Sequence, residues 1–324
     1  MRNMKNTLKN NIVEMSGDEL RQYIDAKSVF TALESARKSA KEVRGGMIWR
    51  EQNGTDYLIR TSTRSAQTSL GPRSEKTEGI YADFIARKER SQERVRDLRA
   101  EITRHQRMNK ALRVGRAPDL LIEILNKIEE VGLSEYFTVI GTYSLYAYEA
   151  AAGVRITSTD AMMTMDVDLL WDIRKRLGFT AQMDELDSTF LELLKKVDRT
   201  FERREDQHYT AVNSKGFEVD IVRRSAKSGD PHPVRLTDNE NELFAVEAER
   251  SGVMLDRPKT SEMIVSVTGR MARMNTVAPD AFVKIKRWIA TLDNRDALKR
   301  RRDLLQADLV EEIIQEYLPH SVAI

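Results

Sequence analysis

The hydrophobic pattern divides the chain into helical stretches and short strands without a regular alternation of the two. Between residues 12 and 43, Leu20, Tyr23, Ile24, Phe30 and Leu33 recur at helical spacing, and Ser16-Gly17-Asp18-Glu19 offers a helix start. This stretch predicts two helices, closed by Gly45-Gly46. Met47-Ile48-Trp49 and Tyr57-Leu58-Ile59 flank Gln52-Asn53-Gly54 and predict a hairpin, because Asn-Gly accepts the positive φ angles of a tight turn. Thr61 to Ser69 and the following Leu70-Gly71-Pro72-Arg73 read as a punctuated loop. Residues 80–114 contain neither Gly nor Pro and predict one long helix.

The pattern restarts at Ala117-Pro118-Asp119. Leu120 to Val131 reads as a helix with Gly132 as its C-cap, and Phe137 to Ile140 as an apolar strand that turns sharply at Gly141-Thr142. Met165 to Leu169 alternates as a strand, and residues 183–203 read as a helix. Tyr209 to Val212 and Phe217 to Val222 flank Asn213-Ser214-Lys215-Gly216 as a hairpin; a polar loop runs from Ser225 to Glu242. Met263 to Val267 and Met271 to Val277 flank Gly269 as another hairpin, before helices from Pro279 to Leu292 and from Arg295 to Tyr317. Hairpins in place of repeated βαβ units predict an α+β fold with an antiparallel or mixed sheet. A length of 324 residues exceeds one typical domain. The expected division is 1–116 (helices, hairpin and long helix), 117–235 (core) and 236–324 (C-terminal hairpin and helical region).

Composition removes several chemistries. There are no cysteines, so disulfides, thiolate zinc sites and a cysteine nucleophile are excluded, and four scattered histidines suggest no zinc cluster. The first eleven residues carry no apolar core of a signal peptide, and the most apolar window, Val139 to Val154, is short and contains Glu149. A cytoplasmic protein without a membrane span is the expectation. The net charge of +2 is nearly neutral, but from Arg87 to Arg116 eleven Lys/Arg stand against four Asp/Glu. That long helix reads as a solvated face, as a phosphate-tracking surface for RNA, or as a self-association face. It carries no interleaved aromatics, so base stacking is not signalled.

The candidate chemistry lies in three carboxylates. Asp166 and Asp168 share one strand face, about 6.6–6.8 Å apart, and Asp220 sits in a second run of the same kind, Phe217-Glu218-Val219-Asp220-Ile221-Val222. Carboxylates that close repel one another, so they hold protons or a cation. Hard oxygen ligands favour Mg²⁺ or Mn²⁺. A Gly-Thr turn into a helix exposes backbone N–H groups to an anion. Together these describe a site for divalent metal and a nucleoside triphosphate such as ATP, with Asp166 and Asp168 bridging two metals and Asp220 completing the nucleophile-side one. The competing reading is cheap: acidic-x-acidic also occurs at Asp238-Asn239-Glu240 in an ordinary polar loop. Weaker candidates are Ser144 beside the turn, Lys284, Lys286 and Arg287 on the late helix, Arg300 to Arg302 before Asp303, and Arg73. Trp171 reads as core, and His208 as structural.

The order apolar strand, Gly141-Thr142, Asp166-Val167-Asp168, then Asp220 in a later strand resembles the nucleotidyltransferase superfamily that includes DNA polymerase beta, CCA-adding enzymes and antibiotic nucleotidyltransferases. The stretches Gly141 to Gly153, Asp166 to Trp171, Ser69 to Ser74 and Leu298 to Asp303 look more closely like a bacterial nucleotidyltransferase-fold family of unsettled function. The resemblance implies a polymerase beta-like core with a small mixed sheet, flanked by N-terminal helices plus hairpin and a C-terminal helical region. It implies Asp166, Asp168 and Asp220 as catalytic and metal residues, Gly141, Thr142, Ser144, Lys284, Lys286 and Arg302 as nucleotide contacts, and transfer of NMP from an NTP to a hydroxyl of RNA, protein or a small molecule. The contrasting class is a catalytically idle module that binds nucleotide or nucleic acid, for example in a toxin–antitoxin or defence pair. Thr142 stands where that superfamily has Ser or Gly, and Gly141 lies 25 positions before Asp166, a longer interval than is usual.

Overall fold

The computed structural model describes residues 11–63, 66–227 and 230–318. It parts into two units, Arg21–Leu112 and the segments on either side of it. Strand β1 (Ile12–Glu14) belongs to the larger unit, and helix α1 (Gly17–Glu42) runs on into the smaller. Two helices were expected here. One forms instead, because no Gly or Pro interrupts residues 18–44.

In the smaller unit, β2 (Gly46–Gln52), β3 (Thr55–Thr61) and β4 (Gln67–Pro72) make an antiparallel sheet. The β2–β3 turn holds Asn53 at φ 53° and Gly54 at φ 76°, as the Asn-Gly pair predicts. Strand β4 corrects the expected loop. Its side chains are almost all exposed, so no alternation betrays it, and its Pro72 is tolerated at a sheet edge. Helix α2 (Glu75–Ala111) starts on a reciprocal cap between Ser74 and Thr77. The unit's apolar core includes Phe30, Leu33, Leu58, Ile59 and Phe84. A buried polar layer crosses the helix pair, where Gln22 Nε2 donates to Asn109 Oδ1 (2.9 Å) and bonds His105 Nδ1 (3.0 Å).

The larger unit resumes with α3 (Asp119–Glu130), β5 (Phe137–Ile140), α4 (Ser144–Ala152), β6 (Val154–Ile156), α5 (Thr159–Met162) and β7 (Asp166–Trp171). Helices α6 (Arg176–Leu186) and α7 (Phe190–Val197) follow, then β8 (Glu202–Arg203), β9 (Thr210–Val212), β10 (Glu218–Arg224), β11 (Val234–Arg235) and β12 (Phe244–Ala248). The chain continues with α8 (Ser251–Leu255), β13 (Thr260–Val265), β14 (Met271–Thr276), α9 (Pro279–Ile289) and α10 (Ala297–Glu316). The single helix expected over 183–203 is broken. Asp187 takes a left-handed conformation that ends α6, and Thr189 and Glu192 form a capping box that starts α7.

Nine strands form one mixed sheet in the order β11-β12-β10-β7-β5-β14-β13, with β9 beside β10 and β8 beside β9. Strand β7 runs parallel to β10 and antiparallel to β5, which is parallel to β14. The fold is α+β with a mixed sheet, and the hairpin β13–β14 belongs to that sheet. Alternation divides the two cores. Val167, Leu169 and Trp171 of β7 and Val219 and Ile221 of β10 join Ile122, Phe179 and Phe190 on one face. Leu170 and Val222 join Ile140, Phe282 and Val310 on the other. Each fully buried side chain of this size contributes roughly 2–3 kcal/mol. That expenditure of apolar residues on both faces leaves Asp166, Asp168 and Asp220, on the second face, conspicuous as polar intruders. No helix among the described residues is long and apolar enough to cross a membrane.

Candidate functional site

Strand β5 ends at Ile140, and Gly141 turns the chain at φ 72° into a 3₁₀ turn (Gly141–Tyr143) that feeds α4. Glycine is required twice over at this position. L side chains disfavour that φ, and a Cβ here would run into the Asp168 carboxylate. The Thr142 hydroxyl accepts from Gln306 Nε2 at 3.1 Å, and the same amide nitrogen donates to Ala161 O at 2.7 Å. Helix α10 thereby holds the turn from behind.

The parallel register of β7 and β10 pairs Asp166 with Glu218 and Asp168 with Asp220. One carboxylate oxygen from each of Asp166, Asp168 and Asp220 lies within 4.8 Å of the others. Thr164 Oγ1 donates to Asp166 Oδ1, and Thr210 Oγ1 to Asp220 Oδ1 at 2.6 Å. Burial, and then the charges of Asp166 and Asp220, push the Asp168 carboxyl up to about 7 against the opposing pull of Lys286 and Arg295. Asp220 is raised as well, first by burial and then by Glu218 and Asp166, while the Thr210 hydrogen bond holds it down. A trio that resists ionising together is the electrostatic counterpart of a cation site. Three half-buried carboxylates with hard oxygens and no nitrogen or sulfur donor among them are compatible with a divalent metal.

Asp166 and Asp168, with Gly141 and Thr142, line a cavity of about 510 Å³. The same cavity is lined by Lys286, Arg295, Lys299 and Arg302. Asp303, fully buried, accepts from Lys286 Nζ at 2.8 Å and from Arg295 through Nε at 2.8 Å and Nη2 at 2.7 Å. Burial lowers the Lys286 pKa, with Asp303 and Asp168 acting against that shift. Arg302 donates to Met163 O at 3.2 Å. The remaining wall is largely apolar, with Met254, Phe282, Ile285, Trp288 and Ile289.

Two expected contacts lie elsewhere. Ser144 is fully buried, with its hydroxyl bonded to Val139 O (3.4 Å) and Thr276 Oγ1 (2.8 Å), and it does not line the cavity. Lys284 points to solvent beside Asp280, because residues two apart on a helix face different sides and Lys286 is the one turned inward. Arg287 pairs with Asp308 and Glu311, and Arg73 with Asp56 and Glu78. His208 leans on Phe244, and Trp171 is core. Sequence reasoning missed Thr210, Arg295, Lys299 and Gln306. A signal for the last two was present, since Lys299, Arg302, Asp303 and Gln306 follow one helix face at three- and four-residue steps.

The chain belongs to a nucleotidyltransferase family, whose model matches residues 119–323. The match takes in the whole nine-stranded sheet, the Asp trio and the cationic wall, and leaves out β2–β4 and α2. No curated protein and no solved structure matches the chain.

Proposed function

We propose that this protein is an Mg²⁺- or Mn²⁺-dependent nucleotidyltransferase that moves NMP from an NTP onto a hydroxyl acceptor, on a polymerase beta-like core. The observation that carries this reading is that Asp166 and Asp168 share one cavity with four cations, while the Asp220 carboxylate completes their trio at its edge within 4.8 Å. In this reading residues 117–235 bring the carboxylates, and residues 236–324 bring the cations. Asp166, Asp168 and Asp220 hold the metal, and Lys286, Arg295, Lys299 and Arg302 receive the triphosphate with the Gly141-Thr142 turn beside them. Divalent ions, when bound, neutralise the trio and polarise the phosphate oxygens.

The acceptor oxygen forms a bond to the α-phosphorus as the bond to the bridging oxygen breaks, and pyrophosphate leaves with the released electron pair. Asp220, half-buried and raised in pKa, is placed to take the acceptor's proton. Asp303 keeps Lys286 and Arg295 directed at the cavity, so that charge is positioned before substrate arrives. The apolar wall from Met254 to Ile289 excludes water around the reacting phosphates. The test is pyrophosphate release from each NTP with Mg²⁺ and cellular RNA, protein or small alcohols as acceptors. Release that Asp168→Asn abolishes supports transfer. Mg²⁺-dependent nucleotide binding without release, for every acceptor, favours an idle binding module.

A further inference from the structure

Helix α2 sorts its charges by side. Gln92, Arg96, Arg99, Thr103, Arg107 and Lys110 follow one another at three- or four-residue steps and are all exposed. That spacing keeps them on one flank of the helix, which Glu89 precedes at its N-terminal end and in which no carboxylate falls between Gln92 and Lys110. The neighbouring flank carries Glu93, Asp97 and Glu101, each four residues from the next. The inward face is fixed by Phe84, His105 and Asn109. Like charges three or four residues apart repel, so a helix serving only as a solvated strut is better built with its signs mixed. Arg96 is partly answered by Glu93 (3.5 Å) and Asp97 (3.7 Å), whereas the Arg99, Arg107 and Lys110 side chains have no ion-pair partner among the described residues.

We infer that this flank of α2 is a binding surface for the phosphate backbone of a nucleic acid. From Gln92 to Lys110 it extends for about 27 Å along the helix axis, enough to follow several consecutive phosphates. Arginine and lysine supply the charge-assisted bonds, and the Gln92 amide adds a neutral donor, the Thr103 hydroxyl being turned to Arg99 O at 3.0 Å. The absence of aromatic side chains on the flank means that it reads backbone and not bases. The inference deepens the transfer reading by naming nucleic acid as the class of acceptor, yet the surface stands or falls separately from the cavity.

The test uses the full chain with fluorescent 30-nucleotide RNA and DNA, each single-stranded and duplex, titrated from low to moderate salt. The variant R99E/R107E/K110E is compared with R90E/R94E/R104E, which changes net charge equally but lies among the carboxylates of the other side. The milder R99Q/R107Q/K110Q covers the case in which charge reversal harms the helix. The expected result is at least a tenfold loss of affinity for the first variant, with the slope of log Kd against log salt reduced by about 2–3. The Gln variant should lose less, and the other-side variant should stay close to wild type. The duplex and single-strand arms show which form of backbone is held. Equal losses in both charge-reversed variants, no loss in either, or equally tight binding of polyglutamate to wild type would overturn the inference. Melting shifts with Mg²⁺ and NTP report on the cavity alone. Their absence would count against transfer and leave the nucleic-acid surface intact.

Discussion

Asp168 and Asp220 occupy the same register step of two adjacent parallel strands. Neighbouring strands run about 4.8 Å apart, so side chains on one face at one step have no room to diverge. Asp166 lies two residues before Asp168 on that face and completes the trio. The sheet thus forces together three negative charges that would separate in an unfolded chain, and the folded apo state bears the cost.

That cost sets the pH dependence of stability. Asp168 is raised to about 7, above its unfolded value, so its contribution favours folding below the unfolded carboxylate pKa and is lost as pH rises toward 7. The metal-free protein is expected to melt lower at pH 8 than at pH 5.5 on this account, with an upper bound of about 2 kcal/mol over that interval. Asp168→Asn should raise the metal-free melting temperature by a few degrees at pH 8 and by roughly half as much at pH 5.5, where the unfolded carboxylate is already ionised, while abolishing transfer. Thermal melts of both proteins in EDTA at the two pH values decide it. A variant that melts lower at both would mean that Asp168 is held by structural hydrogen bonds instead.

Gly141 and Gly54 share a left-handed backbone, at φ 72° and 76°, but only Gly141 faces an obstacle. Both Ala variants should lose about 1–2 kcal/mol from the backbone conformation. Gly141→Ala should lose more, because its methyl must displace the Asp168 carboxylate, whereas the space around Gly54 is open. Denaturant melts give the two losses. Equal values would remove the argument that Gly141 is there to admit Asp168.

How much of this was legible beforehand follows from the physics of each pattern. Strands β7 and β10 announce themselves because a polar residue at every second position of an apolar run has one explanation, a face that differs from its opposite. Strand β4 buries nothing, so it carried no such mark, and the β1–β6 pairing joins residues too distant for any local pattern to suggest. Lys284 and Lys286 look alike in sequence, and only the phase of the helix against the sheet separates an exposed ammonium from a buried one. Ser144 follows the turn as a phosphate contact would, but the first turn of α4 points its hydroxyl back between β5 and β14. The cationic wall was the hardest part to foresee, since Arg295 and Lys286 come together only through Asp303.

That shared dependence on Asp303 gives an expectation for substrate binding. Replacing a buried carboxylate that satisfies two buried or half-buried cations costs roughly 3–5 kcal/mol, because the cations stay behind uncompensated. Asp303→Ala should therefore melt far lower than wild type, and the folded fraction should bind NTP weakly. Lys284→Ala, by contrast, should leave both melting and NTP affinity unchanged, its ammonium being exposed beside Asp280 at 3.3 Å. Calorimetric titration of Mg²⁺–NTP into each variant checks the pair. A strong effect at Lys284 would shift the triphosphate to the solvent side of α9.

Thr210 offers the sharpest test of proton transfer, because it touches Asp220 and does not line the cavity. Its hydroxyl donates to Asp220 Oδ1 at 2.6 Å and favours the charged carboxylate, holding down a pKa that burial raises. Thr210→Val keeps the volume of a side chain that is fully buried in β9 and removes only the donor. Asp220 should then keep its proton to higher pH. If Asp220 must be ionised for transfer, the acid limb of the pH–rate profile should move to higher pH, because the lost hydrogen bond favoured the charged carboxylate. The rate on the alkaline plateau should fall much less, since Asp220 is ionised there in both proteins. Rates measured from pH 5 to 9 at saturating Mg²⁺–NTP separate the two outcomes. A uniform drop in rate at every pH, with the limb unmoved, would show that Thr210 only shapes the site and that Asp220 does not govern the proton.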